Sequence, residues 1–342
     1  MRGIDEVDTS NMRSMVAAFP QLLVAKKLDE STAKAASEIG RRGIKGVCLT
    51  GMGGSSIAGE FARALLTDDA SAPVLMTRDY TIPKAVNRDW VVVATSYSGN
   101  TEETLISYDA AVRRQATVFV ITTGGEIVRR AKDGIVHLIP EGLQPRAAFP
   151  LIFCGLYSIV RAVLGLPRVN LDVMSKNLSR TAQSWGKRVE PPHKLADLLK
   201  DSIPVFTGWK HLAPVAYRAK CQVNENAKTV AFWSDMPEAN HNEVEATVSY
   251  QRLSIEPVFL RSKYEDERIA RRFDITSDVY SGSGCKPVEI SIDSASMTEE
   301  ALGFAHYLDT VSVELAELRG VDPLSVERIS ELKGRLEPAH QP

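Results

Sequence analysis

Two short stretches carry glycines and hydroxyls at spacings that suit an anion: Gly51-Met52-Gly53-Gly54-Ser55-Ser56 and Ser96-Tyr97-Ser98-Gly99-Asn100-Thr101-Glu102-Glu103-Thr104. The second follows Trp90-Val91-Val92-Val93-Ala94-Thr95, an apolar run of the kind found in buried parallel strands. It precedes Leu105 to Val112, whose apolar residues stand at helical spacing. Where a strand hands over to a helix, free backbone N–H groups and the positive dipole end favour an anion. The hydroxyls of Ser96, Ser98 and Thr101 add donors, giving a phosphate cup that needs no lysine. Helix capping competes with this reading: Asn100 and Glu103 fit a capping box, and Glu102 and Glu103 suit a first turn. Capping does not call for three hydroxyls together. Phosphate binding is the stronger reading, with Asn100 and Glu103 expected to close the helix beside the ligand.

The first stretch begins like a dinucleotide fingerprint, but Ser56 stands at the third glycine position. Arg78-Asp79 follows the next strand, roughly where a ribose-binding acid would lie, so a nicotinamide dehydrogenase stays open on this loop alone. No G-K-[ST] is present, which removes a P-loop. In a parallel sheet both loops lie at the carboxyl ends of strands and can converge on one ligand. Two convergent Ser/Gly turns suit a single phosphate better than a dinucleotide, with Gly54 and Ser55 joining the second cluster.

The elements that must hold these loops alternate along the chain. Residues up to about 40 read as amphipathic helix, broken or kinked at Pro20. Strands are expected at 44–50, 73–77, 90–95, 116–121 and 134–139, with a helix beginning near Ile57 and a long apolar one over Leu151 to Leu166. A linker falls around Gly186 to His193, where Pro191-Pro192 interrupts the pattern. Alternation then resumes: strands at 203–208, 229–233, 256–260 and 288–292, and helices at 212–228, 298–318 and 325–336. Strands separated by helices imply βαβ units. The expected fold is therefore α/β, two tandem parallel sheets flanked by helices in a doubly wound, flavodoxin-like manner. Residues 1–190 would form the first domain, which holds the cup, and 191–342 the second, whose Gly208-Trp209-Lys210 turn lacks a Gly-Ser loop.

The bulk numbers agree with that division. The 342 residues are long for one core. A formal net charge of -2 gives no case for nucleic acid. No apolar stretch reaches membrane-spanning length, and Met1 to Glu6 lacks a signal-peptide core. The cysteines, Cys48, Cys154, Cys221 and Cys285, form no C-x-x-C pair and suggest no metal site, a composition expected of a cytoplasmic protein.

On these residues, Gly51 to Ser55 and Ser96 to Thr101, the chain resembles sugar isomerase (SIS) domains. Nearly its full length resembles the archaeal-type bifunctional phosphoglucose/phosphomannose isomerases, which carry two such domains. Three further segments extend the likeness: Gln144-Pro145-Arg146-Ala147-Ala148, Asn224-Glu225-Asn226-Ala227-Lys228 and Glu238-Ala239-Asn240-His241-Asn242-Glu243. The resemblance implies that Gly54, Ser55, Ser96, Ser98 and Thr101 hold a sugar phosphate. It implies catalytic roles for Arg146, Glu225, His241 and a lysine near the C-terminus, best matched by Lys333. It also implies a homodimer in which His241 reaches the neighbouring subunit's site, and a proton transfer that needs no cofactor or metal.

Read as residues, each of the four also has a plainer role. Glu225 could pair with Lys228 one helical turn on, or act as a general base that moves a proton between two sugar carbons. His241, among polar neighbours, suits a solvated loop, although its titration range also suits ring opening. Arg146 could be a charge at the start of a helix, or could stabilise enediolate oxygens. Lys333 lies in a charged terminal helix, and the resemblance alone gives it a catalytic role. His137, His193, His211, His306 and His340 have no comparable context and are expected to be structural or solvent-facing. A non-catalytic sugar-phosphate sensor would need the cup but not Glu225, His241 and Lys333.

Overall fold

A computed structural model of the protein describes residues 7–8, 11–132 and 134–336. His340 lies outside them. The first helices that lie wholly within the described residues are α1 (Met12–Ala17), α2 (Phe19–Ala25) and α3 (Glu30–Arg41). Pro20 does not break a helix: it occupies the first turn of α2, where its missing N–H has no partner to lose.

The first sheet contains β1 (Gly46–Thr50), β2 (Val74–Thr77), β3 (Trp90–Thr95), β4 (Thr117–Thr122) and β5 (Ile135–Leu138). All pairs are parallel, in the order β2-β1-β3-β4-β5. β1 and β3 are buried along their whole length, as their near-continuous apolar runs require. Connecting helices are α4 (Gly53–Leu66), α5 (Glu102–Arg113) and α6 (Glu126–Arg130). From β1 the chain moves out to β2 and then returns to β3 on the other side. Their two loops therefore diverge and leave a crevice at the carboxyl ends of β1 and β3.

α7 (Phe149–Val163) follows, buried on nearly every face, then α8 (Leu171–Gln183) and α9 (Pro192–Leu199). α8 lies in a stretch to which the sequence reading assigned no element, and Asn170 caps it. The second sheet holds β6 (Ile203–Trp209), β7 (Phe232–Met236), β8 (Ile255–Arg261) and β9 (Val288–Ser291), all parallel, ordered β7-β6-β8-β9. It repeats the first sheet strand for strand but, among the described residues, has no counterpart of β5. Its helices are α10 (Ala213–Asn226), α11 (Glu267–Gly282) and α12 (Met297–Leu318), and α13 (Glu327–Leu336) ends the described chain. The seventh strand begins at Phe232 rather than Thr229.

One apolar core runs through both halves, from Phe61, Phe149 and Phe153 to Val215, Leu212 and Phe304. At its centre Arg218 of α10 is buried, with Nε and Nη2 on the Asp309 carboxylate at 2.9 and 2.6 Å. Its Nη2 also donates to the Arg146 carbonyl at 2.9 Å, and its guanidinium lies 4.3 Å from the Phe149 ring centre. A buried ion pair that also binds a carbonyl fixes how α10, α12 and the chain entering α7 meet.

Candidate active site

The Ser96–Thr101 turn is braced from three sides. The Ser96 hydroxyl accepts the Gly99 N–H at 3.1 Å and lies 2.9 Å from the Thr101 hydroxyl. Gly99 has φ +71°, and a Cβ there would collide with the Gly124 carbonyl at 1.8 Å, so only glycine fits. Thr123 Oγ1 donates to the Tyr97 carbonyl at 2.8 Å. The Tyr97 hydroxyl donates to the Pro140 carbonyl at 3.2 Å and accepts the Leu143 N–H at 3.1 Å, tying the turn to the segment that leads to Arg146. The glycines Gly124 and Gly125 and the Tyr97 hydroxyl drew no attention in the sequence reading. The Thr122-Thr123-Gly124-Gly125 run at the end of β4 is the available signal.

The capping box expected of Asn100 and Glu103 does not form. Thr101 is the N-cap of α5 and makes no side-chain capping bond. Asn100 Oδ1 instead accepts the N–H of Glu126 at 2.9 Å, at the start of α6. Ser98 is exposed, accepting only the Asn100 N–H at 3.3 Å. The hydroxyls at 98 and 101 are therefore not consumed in closing the helix.

The first glycine loop is helical from Gly53, four residues earlier than expected, so Gly54, Ser55 and Ser56 form the first turn of α4. The N–H groups of Ser55 and Ser56 donate to the Met52 carbonyl at 3.0 and 3.4 Å, so those of Gly53 and Gly54 are the ones the helix start leaves for an anion. Ser56 Oγ donates to the Gly53 carbonyl at 2.9 Å, whereas the Ser55 hydroxyl has no partner among the described contacts. The first loop lies against the end of β3: a Cβ on Gly51 would lie 2.7 Å from the Thr95 carbonyl. Gly54 in turn abuts the start of α7, where a Cβ would lie 2.8 Å from the Pro145 carbonyl and 3.3 Å from Arg146 Cα.

Arg146 is therefore the link between cup and carboxylate. It is 4% exposed, with Nε on Asn226 Oδ1 at 2.6 Å and Nη2 on the Pro323 and Leu324 carbonyls at 2.6 and 3.0 Å. Nη1 lies 3.5 Å from Glu225 Oε2 and 3.4 Å from Gln144 Oε1. Burial pulls the Arg146 pKa down, opposed by the nearby Glu225 carboxylate. Glu225, in the last turn of α10, keeps about a third of its side chain in solvent (32%). It lines a cleft of about 540 Å³ with Asn224, Lys228 and the start of α13. A larger cleft, of about 720 Å³, runs between α8 and β9, where none of these groups lies.

The side-chain pair of Glu225 with Lys228 is not made. Lys228 Nζ donates to the backbone carbonyls of Glu225 and Asn226 at 2.9 and 3.3 Å and of Asp322 at 2.5 Å. Burial and the Arg146 charge lower the Lys228 pKa. Lys228 is thus the lysine the fold brings to Glu225. Lys333 stands on the exposed α13, more than a turn beyond the residues that line the cleft.

His241 is exposed, at the end of a 3-10 turn, Glu238–His241, that follows β7. β7 runs antiparallel to α10, so His241 lies near the start of that helix and Glu225 at its end. Fourteen residues at 1.5 Å each put roughly 20 Å of helix between them. Within one chain the two do not meet.

Asp79, the acid of the dinucleotide reading, is exposed and its carboxylate accepts the Tyr80 N–H at 2.6 Å, while Arg78 pairs with Glu60 at 2.8 Å. Among the described residues no group of His, Cys, Asp and Glu is placed to hold a metal ion, and no helix is long and apolar enough to cross a membrane.

Residues 188–336 match the family described as bacterial phospho-glucose isomerase C-terminal SIS domain. The bifunctional phosphoglucose/phosphomannose isomerase of Aquifex aeolicus is 33% identical over 296 residues, covering 85% of this chain and 90% of the relative. This chain belongs to that family. D-glucosamine-6-phosphate 4-epimerase of Sulfolobus acidocaldarius is 34% identical over 230 residues, 66% of this chain and 71% of the relative. Among solved structures, tagatose-6-phosphate ketose/aldose isomerase from Escherichia coli superposes with a TM-score of 0.72 at 13% identity, covering 92% of this chain and 95% of that one. Such distant identity speaks for the fold alone, and it agrees with the tandem SIS architecture expected from the sequence.

Proposed function

We propose that the protein interconverts fructose 6-phosphate with glucose 6-phosphate and with mannose 6-phosphate by a cis-enediol proton transfer. The observation that supports this reading is a chain of contacts: Gly54, beside the hydroxyl cluster, abuts Pro145 and Arg146, and Arg146 Nη1 lies 3.5 Å from the Glu225 carboxylate. The N–H groups at the start of α4 and the hydroxyls of Ser55, Ser96, Ser98 and Thr101 hold the phosphate. Glu225 takes the proton from C1 of the ketose, leaving an enediolate, and returns it to C2 of the aldose. In a cis-enediol both carbons present the same face, so one carboxylate serves both. Arg146 offsets the negative charge on the enediolate oxygens. Rotation about C2–C3 before reprotonation gives the epimeric aldose.

His241 serves ring opening from a second copy of the chain, since its own Glu225 lies a helix length away. We assign the ring-oxygen role to Lys333 on family resemblance and note Lys228 as the lysine beside Glu225. The boundary between domains is placed near residue 190, supported by a family match that begins at 188, and the protein is placed in the cytoplasm. No cofactor or metal takes part.

The test is incubation with fructose 6-phosphate in deuterated water, with glucose and mannose 6-phosphates assayed separately. Both products, with deuterium at C2, are expected. Phosphosugar binding without either product would make the protein a sensor. Turnover only of glucosamine 6-phosphate at C4 would place it with the epimerase.

A further inference from the structure

The second sheet repeats the switch point of the first, between β6 and β8. The chain leaves β6 through Lys210-His211 and β8 through Ser262-Lys263-Tyr264, the positions of Gly51–Ser55 and Ser96–Ser98 in the first sheet. Local details recur as well. A Cβ on Gly208 would come within 2.3 Å of the Leu212 carbonyl, so this turn is also closed around a glycine. Ser262 is the first residue beyond its strand, as Ser96 is, and its hydroxyl accepts the Tyr264 N–H at 3.0 Å.

What differs is the occupant. α12 sends the fully buried Glu300 into the crevice. Its carboxylate accepts the Lys263 N–H at 3.1 Å, the Ser262 hydroxyl, and His211 Nε2 at 2.6 Å. Ser262 and His211 are buried too, and His211 Nδ1 has no partner. A main-chain amide just past the strand, a serine hydroxyl and a third donor make an anion cup. In the first domain the chain entering the corresponding helix passes beside Gly54 at Pro145 and Arg146; here the helix brings a carboxylate.

We propose that the second domain retains an anion site of its own and that Glu300 fills it, standing where a phosphate stands in the first. The fold then offers one phosphosugar site per chain, although it contains two switch points. Glu300→Ala removes a group the size of acetate and leaves its three donors, two of them on buried side chains, facing a void. Unpaired, they cost stability that a small anion can restore. The inference takes from the isomerase reading only that the first cup binds phosphate, and it can be tested without any turnover.

The experiment compares melting temperatures of the native protein and Glu300→Ala in chloride, acetate and inorganic phosphate at equal ionic strength. The variant is expected to melt several degrees lower in chloride and to recover most of that loss in acetate or phosphate, beyond any gain of the native protein. Glu300→Gln fills the same space with an amide, so it should be destabilised without recovery. Identical melting of Glu300→Ala in all three salts would overturn the proposal, as would its failure to fold in any of them. Ser262→Ala keeps the carboxylate but removes one donor. It should lower the melting temperature and leave phosphosugar affinity at the first cup unchanged, and a native melting temperature would count against the proposal.

Discussion

The guanidinium of Arg146 lies 3.5 Å from the Glu225 carboxylate while its other nitrogens are held by Asn226, Pro323 and Leu324. The charge partner of Glu225 is therefore rigid and buried, and the carboxylate itself is the half of the pair that reaches solvent. Such an arrangement suits a base whose counter-charge must stay in place while the proton moves.

If Glu225 is that base, Glu225→Gln keeps size and hydrogen bonding but cannot take a proton. Turnover should fall by about 10²–10⁴-fold or more, with the dissociation constant for fructose 6-phosphate changed only a few-fold. Stopped assays for kcat and calorimetry for binding separate the two. Equal loss of both would mean that Glu225 only shapes the crevice.

The cup makes a different prediction. Ser98 is exposed and its hydroxyl accepts only the Asn100 N–H at 3.3 Å, so it carries little folding energy. Ser98→Ala should leave the melting temperature within a degree or so of native. A lost hydrogen bond to a charged phosphate is worth about 1.5–3 kcal/mol, so KM for phosphosugars should rise about tenfold or more. An unchanged KM with lowered stability would return the segment to a structural role.

How far the sequence reached follows from the range of the forces involved. β1 and β3 were legible because fully buried strands must be apolar throughout. The hydroxyl cluster was legible because glycine and serine mark a turn locally. Asn100 was misassigned because its partner, the Glu126 N–H, belongs to a different loop. The carbonyls that hold Arg146 come from Pro323 and Leu324, about 180 residues away, and no local pattern names them. α11 was missed although Asp266 caps it and Ile269, Phe273, Thr276 and Tyr280 stand at helical spacing, since polar residues between them dilute the stripe.

Arg146→Lys keeps a charge but loses the planar fork that reaches four acceptors. Stability should drop by about 2–4 kcal/mol, since hydrogen bonds to charged groups are worth about 1.5–3 kcal/mol each. Because Pro323 and Leu324 precede α13, amide hydrogen exchange across 322–336 should quicken more than in α12. Urea unfolding and exchange mass spectrometry measure both. Uniform quickening would mean that Arg146 does not pin this segment.

Stability should also fall in mild acid. His306 is buried against Phe19, with ring centres 5.1 Å apart, and burial pushes its pKa down to about 4. Burial lowers His137 as well. Between about pH 6.5 and 4 the unfolded chain binds a proton at His306 that the folded chain does not. Unfolding free energy therefore rises with pH across that window, and the contribution is complete above it. The size is about 3 kcal/mol for His306 at 1.36 kcal/mol per pKa unit. His306→Phe should flatten the slope between pH 6.5 and 4 relative to native; an unaltered slope would show that His306 is accessible to protons in the fold.

The separation of His241 from Glu225 along α10 leads to the last prediction. If one copy's His241 serves another copy's Glu225, each variant alone, Glu225→Gln or His241→Ala, has no complete site. A mixed dimer has two kinds of crevice. One lacks both groups, and the other pairs an intact Glu225 with an intact His241. Equal mixing with random exchange makes half of the dimers mixed, each with one working site, so activity should recover to about a quarter of native. Mass spectrometry of tagged subunits establishes the exchange, and kcat per chain reads the recovery. Exchange without recovery would mean that each crevice uses groups from its own chain, and the lysine beside Glu225, Lys228, would then be the next group to substitute.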